Sequence, residues 1–170
     1  MLVRIAYIYV GLLFACVVAV LSVSLIAHIL ILSRLAYLPI TSNTAVVFSG
    51  VFLIAFPAFG FAKDRNVWKY EFLNCPMWLR IAGIVFPIYC LLCGLGFAAM
   101  RTENGLPLVS EELFNTTVPL FCLSGPVWIL YALLWGKPVS DSELLKRCGI
   151  SLIGLTAITA FVVWGVLHHR

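Results

Sequence analysis

Two cysteines set three residues apart, Cys90 and Cys93, are the first candidates for chemistry in this chain. A Cys-x-x-Cys pair can cycle between dithiol and disulfide and so serve as a redox centre. His28 is the second candidate, because an ionisable side chain inside an apolar run marks a functional site by default. A haem gripped between helices would need a second histidine, and His168 and His169 sit at the far end of the chain. The third candidate is residues 62–80, AKDRNVWKYEFLNCPMWLR, where Asp64, Glu71, Lys63, Arg65, Lys69 and Arg80 stand among Trp68, Tyr70 and Trp78. No P-loop, H-E-x-x-H or G-x-S-x-G pattern occurs, so no cofactor and no metal is expected.

The elements that must position these residues follow from composition. The 170 residues are 63% hydrophobic and 11% charged. Soluble domains run at about 45–50% apolar and about 25% charged. A soluble fold of this size has too much surface to hide that excess, so the expected solvent is lipid. The net charge of +4 is spread over short loops beside apolar runs. It reads as a topology signal and not as a nucleic-acid surface. Six cysteines are present, at 16, 75, 90, 93, 122 and 148, inside or at the edges of apolar runs. A disulfide framework is therefore not expected.

Residues 5–33, 35–62, 81–100, 113–136 and 148–169 carry no Asp, Glu, Lys or Arg. A helix needs about 20 apolar residues to cross a hydrocarbon core of about 30 Å. Helix is the required form, because backbone groups in lipid must bond within their own segment. Pro39 and the polar cluster Thr41-Ser42-Asn43-Thr44 delay the second helix, and Asn115-Thr116-Thr117 before Pro119 reads as the start of the fourth. The expectation is an all-α bundle forming one transmembrane domain over 1–170, with five spans at about 5–33, 44–62, 81–100, 117–136 and 148–167. Ser140-Asp141-Ser142-Glu143 has the form of a capping box ahead of the fifth. Glu143 can also pair with Lys146 or Arg147 one turn on. Pro57, Pro87 and Pro126 fall within spans, as membrane helices tolerate. The first apolar run is too long for a signal peptide, so it is expected to stay as a helix.

With five spans, the N-terminus and the loops 63–80 and 137–147 share one side. Arg4, Lys63, Arg65, Lys69, Arg80, Lys137, Lys146 and Arg147 lie there, against Arg34, Arg101 and Arg170 on the other. The positive-inside rule puts the N-terminus in the cytoplasm and the C-terminus outside. Tyr7, Tyr9, Trp68, Tyr70, Trp78 and Trp135 then form an inner aromatic belt, with Tyr37 and Trp164 at the outer one. Residues 62–80 become an interfacial hairpin that includes Trp68, Lys69, Cys75, Pro76, Trp78 and Arg80.

Cys90 and Cys93 sit midway along their run, where a thiolate is poorly solvated. Free cysteine otherwise packs as a small hydrophobe. Gly83, Pro87, Cys90 and Gly94 share one helical face suited to a close neighbour. Packing is therefore the expected role of the pair, and a satisfied neutral imidazole that of His28. All seven carboxylates lie outside the expected spans, whereas proton-coupled carriers place acids within them. Gly11, Ala15 and Ala19 repeat every four residues, a stripe suited to close helix crossing with another span or a second copy.

Two resemblances extend this reading. In size and hydropathy, and in its Cys90/Cys93 pair, the chain is similar to small membrane thiol–quinone oxidoreductases. It departs from them in the pair's mid-span position and in having no cysteine in either external loop. The string Trp68-Lys69-Tyr70-Glu71-Phe72-Leu73-Asn74-Cys75-Pro76-Met77-Trp78-Leu79-Arg80 resembles a loop of small bacterial multi-pass membrane proteins. Those carry Trp and then Cys-Pro-x-Trp-[Leu/Met]-Arg between two spans. The likeness covers a third of the chain at most, assigns no role to Cys75, Pro76 or Trp78, and implies a bacterial cytoplasmic membrane. The expected function is that of a non-enzymatic accessory or interaction protein in the lipid bilayer. The alternatives are thiol–quinone oxidoreduction at Cys90/Cys93 or a small carrier for a neutral solute.

Overall fold

A computed structural model describes residues 1–33, 44–61, 73, 75–99, 110–136 and 139–168. The protein is all-α, with five helices: α1 (Leu2–Leu32), α2 (Thr44–Phe59), α3 (Met77–Ala99), α4 (Glu111–Trp135) and α5 (Asp141–His168). Four of them, α1, α3 over Met77–Gly96, α4 and α5 over Asp141–Phe161, are long and apolar enough to cross a membrane. The fifth, α2, has 16 residues, about 24 Å at 1.5 Å per residue.

α4 is the axis of the bundle. In its most apolar stretch 72% of residues are buried, against 22% in α1, 17% in α3 and 28% in α5. α1, α2 and α3 all pack on it, and α5 closes the far side against α2 and α1. The large apolar side chains left on the outside, among them Leu92, Leu95, Ile153 and Phe161, form continuous outward faces that suit hydrocarbon and not water.

Contacts at two levels fix the helix directions. Near the start of α1, the Tyr9 and Phe61 rings lie 6.2 Å apart, and Phe14 meets Trp135 edge-on at 5.1 Å. Near its end, Ser24 donates to the Thr116 carbonyl at 2.6 Å. α1 therefore runs against both α2 and α4. The Cys75 thiol meets the Trp128 carbonyl at 3.5 Å. At the other end of α3, Gly94 faces the Phe114 ring, so α3 also opposes α4. Each helix runs opposite to its predecessor, and Leu2 and His168 lie at opposite ends.

Two element starts differ from expectation, those of α3 and α4, each for a local reason. α3 begins at Met77 and takes in Trp78 and Arg80, with Leu79 and Arg80 donating their N–H groups to the Pro76 carbonyl. α4 begins at Glu111, six residues before the expected start at 117, because Ser110 is the cap. Its hydroxyl accepts from the Leu113 N–H at 3.2 Å, and Glu111 and Glu112 fill the first turn, where the helix dipole favours acids. Asn115, Thr116 and Thr117 are interior and buried. Thr116 and Thr117 donate back to the carbonyls of Leu113 and Phe114 at 2.8 and 2.6 Å, the bond by which hydroxyl residues sit inside helices. At α5 the Ser140 hydroxyl lies 3.4 Å from that of Ser142, and Glu143 pairs forward with Arg147 at 3.3 Å.

α2 ends against α5. Gly60 suits the close approach there: a Cβ would lie 3.0 Å from the Ser151 Cα and force the backbones apart by a few tenths of an ångström. The Ser151 hydroxyl donates to the Pro57 carbonyl at 2.6 Å, and Arg147 Nη1 donates to the Phe61 carbonyl at 2.9 Å. Two carbonyls at the end of a helix, which lack intrahelical partners, are thus satisfied by α5, one of them by a cation suited to the dipole. Arg147, expected on a surface, is 5% exposed. Replacing it (Arg147→Met) removes a charge-assisted bond and is expected to cost about 1.5–3 kcal/mol. Lys146→Met, one residue away and exposed, should stay within about 0.5 kcal/mol. Thermal unfolding of the two variants in the same detergent checks the difference.

Candidate functional site

The most polar cluster within the apolar helices centres on His28. Its Nδ1 lies 2.7 Å from Thr116 Oγ1 and its Nε2 lies 2.5 Å from Tyr89 Oη. Hydrogen roles follow by elimination. Thr116 spends its proton on the Leu113 carbonyl, so its oxygen accepts from His28 Nδ1–H. The neutral imidazole then has a lone pair on Nε2, which accepts from the Tyr89 O–H. The two rings meet edge-on at 5.4 Å. Ser24, one turn before His28, donates to the Thr116 backbone carbonyl. The cluster joins α1, α3 and α4 at one level, and His28 is 3% exposed.

Each member is placed by its helix. Ser24 and His28 stand four apart and share a face of α1. Thr116 offers that face both its hydroxyl and its carbonyl. Tyr89 follows Pro87 on α3, and its hydroxyl also touches the Cys93 thiol one turn further on. The arrangement fixes a neutral histidine in one tautomer. It gives no open coordination position on either ring nitrogen, and both nitrogens serve to hold three helices in register.

Cys90 and Cys93 are buried at 6% and 8% exposure on the side of α3 that meets α4. The Cys90 thiol donates to the Thr117 carbonyl at 3.2 Å. Beyond it, a pocket of about 250 Å³ is lined by Cys90, Phe114, Thr117, Phe121 and Cys122. Cys122, from a different helix, therefore joins Cys90 at one apolar space, a pairing that spacing along the chain does not reveal. Among the described residues no group of three or more His, Cys, Asp or Glu side chains is placed to hold a metal ion.

Of the expected interfacial hairpin, Trp68 and Lys69 lie outside the described residues. Cys75 and Pro76 precede α3, and Cys75 is buried against α4. Trp78 and Arg80 belong to the first turns of α3, with Trp78 outward and two-thirds exposed. Arg80 is partly buried, and its Nε is enclosed with no hydrogen-bond partner among the described residues. Cys75, Pro76, Trp78 and Arg80 thus form the entrance to α3.

At the opposite level a second polar cluster ties α1, α2 and α5. Ser151 gives its proton to Pro57, so Tyr9 donates to Ser151 at 2.9 Å. Tyr9 was expected in the aromatic belt. Tyr89, Ser24 and Ser151 are the polar residues that linear reading passed over, and it gave Thr116, Tyr9 and Arg147 other roles. The available signal for the first three was a hydroxyl or phenol inside a charge-free run.

No family model, no curated protein and no solved structure matches the chain.

The histidine cluster predicts a specific asymmetry between adjacent threonines. Thr116→Val removes the acceptor of His28 Nδ1–H and should destabilise by about 1 kcal/mol, up to about 1.7, the range of interhelical hydrogen bonds in membranes. Thr117→Val removes a hydroxyl that bonds within its own helix and should cost measurably less. Paired unfolding curves in one detergent decide it.

Proposed function

We propose that the protein is a five-span membrane protein of a bacterial cytoplasmic membrane, N-terminus inside and C-terminus outside, that works as a non-enzymatic accessory or interaction partner. The observation that carries the interaction reading is the small-residue stripe of α1. Gly11 has open space where a Cβ would stand, and Ala15 and Ala19 are exposed. The stripe turns away from the bundle, while Ala6, Val10, Val17 and Ala27 pack inward. Two helices bearing such stripes can bring their backbones close, which is how membrane helices associate without a hydrophobic driving force. The occupant is a second copy of this chain or one helix of a partner. The polar groups within the spans are spent on holding helices together, which favours a scaffold over a catalyst.

The threading rests on two supports. Bases are concentrated eight to three on the side of Arg4, Arg80 and Lys146, as the positive-inside rule requires of cytoplasmic loops. Alternating helix direction is the other, and it supports the reading of α2 as a fifth crossing. Val47 of α2 shares a groove with Ala27, near one end of α1, while Phe61 meets Tyr9 near the other. The helix therefore keeps pace with α1 through the bilayer despite its length. The likeness of residues 68–80 to loops of small bacterial membrane proteins supports the source.

Reporter fusions at Met1 and Arg170 are expected to report opposite compartments, with Met1 cytoplasmic. A shared compartment would reduce the crossings to an even number. In native membranes, with the exposed Cys16 replaced by alanine, Ala15→Cys is expected to give cross-linked species of higher mass, whereas Val17→Cys, which points into the bundle, gives none. Equal yields from the two positions would remove the stripe as an interface.

A further inference from the structure

α3 is held differently from its neighbours. It packs on α4 and scarcely touches α1, and it is the least buried of the long helices. Between α1 and α3 runs an apolar groove of about 300 Å³, walled by Leu21 and Leu25 on one side and Gly83 and Phe86 on the other, with Leu120 and Ser124 as its floor. One turn beyond Leu25 and Phe86 come His28 and Tyr89, whose hydrogen bond is the described polar tie between the two walls. Two residues before Tyr89 stands Pro87. It has no N–H to offer the carbonyl of Gly83, and helices bend at such a break.

We infer that α3 is a hinged gate: its C-terminal half pivots over Gly83–Pro87, and the Tyr89-to-His28 hydrogen bond latches it against α1 to close the end of the groove. The hinge lies in the helix with the fewest packed neighbours, where local opening needs the least disruption. The latch is one hydrogen bond whose acceptor is already oriented by Thr116, so it can break and re-form without disturbing the contact of α1 with α4. The rest of the bundle does not share this freedom. α2 and α5 are locked together by Arg147, Ser151 and the close approach at Gly60.

Spin labels test the gate in lipid nanodiscs, with Cys16 and Cys122 replaced by alanine. One pair, Ile26→Cys with Ile88→Cys, sits on the outward faces of α1 and α3 beside the latch. A control pair, Ile8→Cys with Ile153→Cys, reports α1 against α5. Tyr89→Phe keeps the ring and deletes the donor. It is expected to raise the population of a longer distance in the first pair by roughly three- to fifteen-fold, the effect of losing one interhelical hydrogen bond, and to leave the control pair unchanged. Adding Pro87→Leu to Tyr89→Phe should restore the single short distance. A first pair that does not respond to Tyr89→Phe overturns the latch. Equal broadening in both pairs overturns the gate, since the whole bundle would then have loosened. Persistence of the longer distance with Pro87→Leu overturns the hinge.

Discussion

Hydrocarbon offers no hydrogen bonds, and the rest of this structure depends on that constraint. Every polar group carried into the apolar layer must find its partner within the protein. The chain brings few such groups and collects them at two levels. At one, Ser24, His28, Thr116 and Tyr89 bind α1, α3 and α4 together. At the other, Tyr9, Ser151 and Arg147 bind α1, α2 and α5, using carbonyls at the end of α2 as acceptors. Between the levels the described contacts are mostly apolar, with the Cys75 thiol on the Trp128 carbonyl as an exception. In lipid, apolar packing alone discriminates poorly between registers, because a slipped helix still faces oil. Two directional clusters, far apart along α1, remove that freedom.

α4 can serve as the axis because of what it contains. It carries Asn115, Thr116, Thr117, Pro119, Ser124 and Pro126 within an otherwise apolar stretch, a content that would weaken a helix in water. Surrounded by three other helices, it has partners for the groups that proline and hydroxyl residues leave exposed. Cys90 donates to the Thr117 carbonyl and Ser24 to that of Thr116. α4 is the helix kept furthest from lipid, and the more apolar α1 and α3 take lipid-facing positions. That contrast follows from composition, whereas α5, less apolar than α4, is exposed through its place at the far side of the bundle.

That relation explains which parts of the fold were legible in the sequence. Runs free of charge located all five helices, since the cost of a charge in lipid is large and local. The starts of α3 and α4 were misplaced because the deciding features were weak ones. Ser110 was a better cap than Asn115-Thr116-Thr117, yet both are polar clusters before an apolar run, and only the back-bonds to Leu113 and Phe114 tell an interior threonine from a capping one. The partners of His28 were illegible for another reason. Thr116 and Tyr89 lie 88 and 61 residues away, and nothing local marks a hydroxyl as the complement of an imidazole. Arg147 was read as half of a surface ion pair with Glu143. The pair exists, and its burial comes from α2 ending where α5 begins, a matter of tertiary arrangement.

The two clusters also differ in what they permit. Around Arg147 and Ser151 the backbones approach so closely that a Cβ on Gly60 would crowd Ser151 at 3.0 Å, and Gly154 would press a Cβ to within 2.9 Å of the Phe56 ring. Hydrogen bonds there reinforce contacts that packing already fixes. Around His28 the bond to Tyr89 bridges α1 and α3, which packing leaves apart, with their groove beside it. A directional bond across a gap bears the whole of the restraint, whereas one across a tight contact bears little of it. The same chemistry therefore makes one end of the bundle rigid and, at the other, leaves the closure of α3 onto α1 to a single phenolic proton.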